Sequence, residues 1–207
     1  MLGYGGDVPR RTYDHYCPVS RALEVVGDRW NLLVVRELCS GPRRYSDLFA
    51  DLPGISTDIL AARLKDLERD GILTHRKVGS RSAAAVYELT PAGAALRPVL
   101  QALSEWGTPL LGQRRATDAV RAHWFALPLG RAIAAVVPAG TVTVYIGDTA
   151  LHYVIGAAGI SHHEGPAPAA DHEFRLEMAE ATEIATGARH LADVVGEPGH
   201  GGPRKAG

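Results

Sequence analysis

The chain has 207 residues, 46% of them hydrophobic and 22% charged, with a formal net charge of −1. This composition suits a globular chain of one or two domains, and no apolar run approaches the roughly 20 residues of a membrane span. The near-neutral total hides an asymmetry: residues 1–115 carry 16 Lys and Arg against 13 Asp and Glu, whereas residues 116–207 carry 6 against 10.

The start, Met1 to Asp7, is Gly-rich and lacks the pattern of a signal peptide. Two cysteines do not make a disulfide framework, so a reducing cytoplasm is the expected setting. Residues 1–12 read as a disordered, solvated arm, with Arg10 and Arg11 near its end. Cys17-Pro18-Val19-Ser20 opens a short helix through Val26, broken by Gly27-Asp28. A second helix places Trp30, Leu33, Val34 and Leu38 on one face and ends at Gly41-Pro42. Arg43-Arg44 follow, then a short third helix, Tyr45 to Leu52, with Leu48 and Phe49 inward.

Pro53-Gly54 turns the chain into the stretch that organises this half, Ile55 to Gly71. Leu60, Leu64 and Leu67 recur at helical spacing and form one apolar stripe. Ser56 is a cap for the helix start, Asp58 suits the positive end of the dipole, and Gly71 is the stop. Ser56, Thr57, Ala61, Arg63 and Lys65 are read on the other face. Two short helices joined by a Gly-containing turn form a helix-turn-helix, whose second member can present its N-terminal residues to base edges in a major groove.

After Gly71 the period becomes extended. Ile72–Val78 and Ala84–Leu89 read as strands around Gly79-Ser80-Arg81-Ser82, a wing with Arg81 at its tip and placed for a minor groove. Thr90-Pro91 starts another helix, in which Leu96, Val99, Leu100, Leu103 and Trp106 hold helical spacing to about Leu111. Pro98 is expected to kink this rod. So long an apolar stripe asks for a partner surface, and a second copy of the chain is the simplest.

Beyond a linker at 113–118, helices are expected over Asp118–Ala126 and Leu129–Val137. A hairpin follows, Thr141–Ile146 and Ala150–Ile155 around Gly147-Asp148-Thr149. Gly156 to Ala170 reads as a loop that includes His162-His163-Glu164, and a third strand is expected near Glu173–Met178. Helices over Ala179–Ala185 and Ala188–Val195 complete the half. The fold class is therefore mainly α with a β-hairpin wing (winged helix-turn-helix), followed by a small α+β domain. The expected divisions are a disordered arm (1–12), a domain for DNA binding and dimerisation (13–112), an α+β domain for effector binding or dimerisation (118–196) and a disordered tail (197–207).

From Tyr16 to Leu110 the chain resembles the HxlR-type winged-helix transcription regulators, relatives of the MarR type. The resemblance runs in unbroken order through Cys17-Pro18-Val19, Gly27-Asp28-Arg29-Trp30, Arg36-Glu37-Leu38, Gly41-Pro42-Arg43, Leu52-Pro53-Gly54-Ile55-Ser56, Arg63-Leu64-Lys65-Asp66-Leu67-Glu68, Tyr87-Glu88-Leu89-Thr90 and Trp106-Gly107. It implies a dimer on double-stranded operator DNA, with the recognition helix in the major groove and the wing alongside. The wing here, Gly79 to Ala85, is only weakly basic and lacks the prolines common in the family. Ser56, Thr57 and Arg63 are then the candidates for base contacts, with Arg43, Arg44, Lys65 and Arg81 for phosphate or the minor groove.

Several members of that family sense oxidants or electrophiles through an N-terminal cysteine, and Cys17 stands at the matching place. A helix start lowers a thiol pKa, with Arg21 and His15 close in sequence, but a small residue buried at a dimer seam fits Cys17 as well. The second half resembles the sterol-carrier-protein-like fold. That likeness implies an apolar pocket for an aromatic or lipid-like effector, with Trp124, Phe125, Tyr145, Tyr153 and Phe174 as lining candidates; an ordinary core is the other reading of the same residues.

Seven of the nine histidines lie beyond residue 115, without the converging arrangement a metal needs, and no cofactor motif, phosphate loop or nucleophile elbow is present. No metal, cofactor or enzymatic activity is expected. The leading expectation is a homodimeric, sequence-specific repressor released by a small-molecule effector. The alternatives are an apolar-ligand carrier that uses the winged helix for protein interaction, and a redox-sensing regulator acting through Cys17.

Overall fold

The computed structural model describes residues 12–77, 85–157 and 159–195. The expected arm up to Arg11, the wing tip with Arg81 and the expected tail from 197 lie outside the described residues.

In the first half, helices α1 (Pro18–Val26), α2 (Asn31–Leu38), α3 (Tyr45–Asp51) and α4 (Thr57–Arg69) lead into strands β2 (Leu73–Lys77) and β3 (Ala85–Leu89). The sequence reading missed a two-residue strand, β1 (Arg43–Arg44), which pairs antiparallel with β3 and gives the sheet order β1-β3-β2. Val34, Val35 and Leu38 of α2, Leu48 of α3 and Leu60, Leu64 and Leu67 of α4 form one buried cluster. Phe49, expected inward, is 41% exposed instead.

The rod expected from Pro91 to Leu111 is two helices. α5 (Pro91–Ala94) stops, the chain turns at Ala95-Leu96, and α6 (Arg97–Gly107) begins. Pro98 therefore lies in the first turn of a new helix, where its missing N–H costs no internal bond, rather than in a kinked interior. α5 lies so close to the strand start that a Cβ on Gly93 would meet the Ile72 carbonyl oxygen at 2.0 Å. Thr90 fastens that approach: its hydroxyl accepts from Gly93 N at 3.1 Å and donates to the Gly71 carbonyl at 2.5 Å, while its N–H donates to the Ile72 carbonyl at 3.0 Å.

In the second half, a 3-10 turn (Ala122–Phe125) and α7 (Ala126–Ala134) replace the two helices expected there. Strands β4 (Gly140–Ile146), β5 (Thr149–Gly156), β6 (Gly159–Glu164) and β7 (His172–Leu176) form a sheet in the order β6-β5-β4-β7, with β4 and β7 parallel. Helices α8 (Met178–Ala185) and α9 (Leu191–Val195) follow and end the described residues. Alternate residues Val142, Val144, Ile146, Leu151, Tyr153, Phe174 and Leu176 meet Leu129, Ile133, Ala181 and Ile184 in a second buried cluster.

The His162-His163-Glu164 segment, expected as a solvated loop, is part of β6. His162 stands opposite Tyr153. Paired residues share a face of the sheet, so His162 follows Tyr153 inward and is 4% exposed.

Candidate nucleic-acid interface

Ser56 begins α4 as its N-cap, its hydroxyl accepting from Ile59 N at 3.3 Å. Gly54 makes the preceding turn at φ +89°, a conformation that favours glycine. Tyr45 at the head of α3 donates to the Thr57 carbonyl at 2.9 Å, tying the two helices at the point where they diverge. With the three leucines buried behind, the opposite side of α4 presents Thr57, Asp58, Ala61, Ala62, Lys65 and Arg69 to solvent. Small residues leave room for a close approach. Lys65 has no ion pair among the described residues.

The expected contact residues divide by environment. Thr57, Lys65 and Arg44 are exposed. Ser56 is exposed too, but its hydroxyl is engaged as the cap. Arg63 sits on a flank of α4, ion-paired with Asp28 and, at 2.9 Å, with Asp66, its side chain 22% exposed. Arg43 is turned inward, paired with Asp51 at 3.5 Å and with Glu164 of β6. As they stand, Arg43 and Arg63 neutralise carboxylates of this chain. The register of the wing sheet adds a residue the sequence reading passed over: Arg44, Val86 and Arg76 share one rung, and Arg76 bonds Glu88 at 2.8 Å. Lys77 beside it is exposed.

Behind this face, the two halves meet through a polar network that sequence reasoning did not find. The Glu37 carboxylate, fully buried on α2, accepts from Arg36 Nε at 2.9 Å and from Trp124 Nε1 at 3.0 Å, and lies 2.6 Å from His123 Nε2. Burial pushes that carboxyl up, but the His123 hydrogen bond and the charges of Arg36 and His123 outweigh it and hold the group below the ordinary carboxylate value. Arg121 bonds Asp51 at 3.3 Å, and the Arg36 guanidinium lies over the Trp124 ring at 4.6 Å. Glu37, Asp51 and His123 could together offer metal ligands. Arg36, Arg43 and Arg121 already pair with these carboxylates, so a cation there would face three guanidinium groups.

The expected pocket residues stand in different surroundings. Tyr153 and Phe174 are buried in the second core, Trp124 belongs to the Glu37 network, Phe125 packs at the core edge and Tyr145 lies under Arg175. They are side chains of a close-packed interior and its margin. A cleft of about 980 Å³ opens elsewhere, between α5–α6, α7 and the β5–β6 hairpin.

Cys17 is the N-cap of α1 and is partly exposed. No helical N–H reaches its sulfur at hydrogen-bonding distance. The nearby backbone amides of Ser20 and Val19, and then the Ser20 hydroxyl, nonetheless hold the thiol below its ordinary pKa. Cys39 is buried, and desolvation raises its thiol despite the neighbouring Arg97.

A helix-turn-helix whose second helix is braced from behind, followed by a two-stranded wing, defines a winged-helix DNA-binding protein. Residues 25–115 match the family model of the HxlR-like helix-turn-helix. HTH-type transcriptional regulator sll1512 of Synechocystis is 36% identical over 99 residues, covering 48% of this chain and 73% of that protein. HTH-type transcriptional regulator YodB of Bacillus subtilis is 35% identical over 91 residues, covering 44% of this chain and 81% of YodB. The crystal structure of quinone-bound YodB aligns at 35% identity over 45% of this chain and 99% of that one, with a TM-score of 0.39. The chain belongs to the HxlR-like helix-turn-helix family of DNA-binding transcriptional regulators. Among the described residues, no helix is long and apolar enough to cross a membrane.

Proposed function

We propose that the chain acts as a homodimeric repressor that reads a pseudo-palindromic operator and is released by a small-molecule effector. The observation that carries the reading is α4 itself: leucines fix its back, and Thr57, Ala61 and Lys65 stand free in front. In this reading Thr57 reaches base edges, while Lys65, Arg44 and the wing cations, Arg81 among them, hold phosphate or the minor groove. Arg63 joins them by exchanging Asp28 and Asp66 for phosphate or a base edge. Residues 13–112 form the DNA-binding and dimerisation domain, and 118–196 the effector-responsive domain, coupled through the Glu37 network.

A second copy is supported by apolar surface that this chain leaves uncovered. Val99, Leu103, Trp106 and Leu110 recur along α6 and its 3-10 extension, and each is at least 43% exposed. Tyr16, Val19 and Leu23 are likewise exposed at the start of the chain. A symmetric dimer would set two copies of α4 about one helical turn apart on the duplex.

The test is sequencing of the genomic fragments the purified protein retains, followed by salt titration on the best fragment. Enrichment of a pseudo-palindrome, with affinity falling steeply as salt rises, supports the reading. Retention without sequence preference, or none, refutes it.

Cys17 favours a second mode of release, because its thiol is partly exposed and its pKa is lowered. Under that reading, Cys17→Ser binds the operator normally and no longer lets go when treated with a quinone. A variant that still releases assigns the response to the second half.

A further inference from the structure

The cleft of about 980 Å³ at the seam of the two halves has the volume of a small-molecule site and an unusual polar inventory. Its apolar wall comes from Pro98 of α6, Leu127 of α7 and Ile160 of β6, with Val154 of β5 at the rim. Ile160 is 42% exposed, so this wall is open to an occupant.

Two polar side chains at the cleft are not matched by the protein. Arg97 donates to the Cys39 carbonyl at 3.1 Å, but its Nε is buried without a hydrogen-bond partner. Among the described residues, no carboxylate pairs with it. His162 is 96% removed from solvent, with a relative exposure of 4%, and makes no hydrogen bond among the described residues. The single acid of the cleft, Glu105, is occupied by Arg131 at 2.9 Å. A positive charge and a polar ring thus face a space with an apolar wall. A guanidinium with one neutral acceptor, an unpartnered Nε and no counter-ion among the described residues gains from an anion that meets it.

We propose that this cleft binds a small molecule with an apolar body and one carboxylate, the carboxylate lying against Arg97 and the body against the Leu127–Ile160 wall. The proposal deepens the effector part of the function above and rests on that reading only for its consequence at DNA. α6 links the two. Arg97, Gln101 and Glu105 face the cleft, whereas Val99, Leu103 and Trp106 lie on the other side of the helix, where the second copy is proposed to pack. An occupant that shifts α6 against α7 therefore shifts the helix that spaces the two recognition helices.

The test is calorimetric titration of the full chain with decanoate and, separately, with decanol, both below their aggregation limits. The expected result is saturable binding of one decanoate per chain, with decanol weaker. Arg97→Met should weaken decanoate roughly tenfold or more, the worth of a charge-assisted hydrogen bond, and leave decanol unchanged. Ala95→Trp, at an exposed position on the lining, keeps the Arg97–Cys39 bond and should block decanoate by filling the space. Equal binding of acid and alcohol, no saturable decanoate binding, or undiminished binding by either folded variant overturns the site. A protein that holds duplex DNA but no decanoate loses the site and keeps the regulator reading. One that binds decanoate through Arg97 but holds no duplex keeps the site and loses the regulator reading.

Discussion

The carboxylate of Glu37 and the imidazole of His123, 86 positions apart in the chain, meet 2.6 Å from each other at the boundary between the two halves. Glu37 is completely buried and also receives Arg36 and Trp124, so one acid on α2 satisfies donors from both sides of the seam. Glu37→Ala strands all three donors. It should cost about 3–5 kcal/mol of stability, the usual penalty for breaking a buried charge pair from one side. Urea unfolding followed by circular dichroism reports it. A loss under about 1 kcal/mol would mean that water replaces the carboxylate and that the seam does not depend on it.

Lys65 and Arg44 differ from Arg63 in what already holds them, and DNA binding should separate them. Lys65→Ala and Arg44→Ala each remove an exposed cation; affinity should fall for every duplex, and the salt slope should become shallower by about one unit per change. Arg63 is neutralised by Asp28 and Asp66. Asp28→Asn removes one of its two anionic partners and leaves Asp66, so it should strengthen operator binding in part, a gain that Arg63→Ala in the same chain abolishes. Fluorescence anisotropy across a salt series measures all four proteins. If Asp28→Asn tightens binding with Arg63 absent, the gain is general electrostatics and Arg63 has no part in it.

Much of this face was legible because local rules and packing agree there. The Leu60-Leu64-Leu67 spacing, the Ser56 cap and the Gly54 turn each point to α4, and the buried cluster uses those same residues. What failed needed partners distant in sequence. Arg43 reads as a phosphate ligand until Glu164 of β6 arrives beside it, and β1 exists only because β3 pairs with it. His162 reads as loop from its Gly- and Pro-rich surroundings, yet its register opposite Tyr153 turns it inward. Glu37 did leave a trace. It lies three residues after Val34 on the buried side of α2, and an acid on an apolar stripe asks for a buried partner.

His162 gives the fold a pH dependence whose sign is fixed. Burial first, then the charges of Arg97, His163 and His123, lower its pKa from 6.5 to about 4. The unfolded chain takes up a proton near 6.5 that the folded chain refuses until about 4. The stability tied to the neutral ring is thus complete above 6.5 and drains away as the pH falls toward 4. The whole difference is about 3 kcal/mol. His162→Phe should lose most of this acid sensitivity, the remainder belonging to His163, whose imidazole burial also holds below its ordinary value. The Glu37 contribution is lost only at lower pH, because its carboxyl is held below the ordinary value. A His162→Phe protein as acid-sensitive as the parent would assign the effect to other groups.

Trp106 is 72% exposed on α6, and Leu103 and Leu110 beside it are 43% and 67% exposed. In the dimer proposed above, this stripe is the surface that the second copy covers. Trp106→Glu places a charge in the middle of it. In a symmetric dimer the two substituted helices would bring like charges together across the seam, so each chain suffers its own change and its partner's. Light scattering should then show the parent at twice the chain mass and Trp106→Glu at the chain mass, with the fold retained by circular dichroism. The separated chains should still associate with DNA through Lys65 and Arg44, with an unchanged salt slope per chain, and lose the preference for paired half-sites. A parent that is monomeric at micromolar concentration and still selects a palindrome would place the pairing on the DNA rather than on α6.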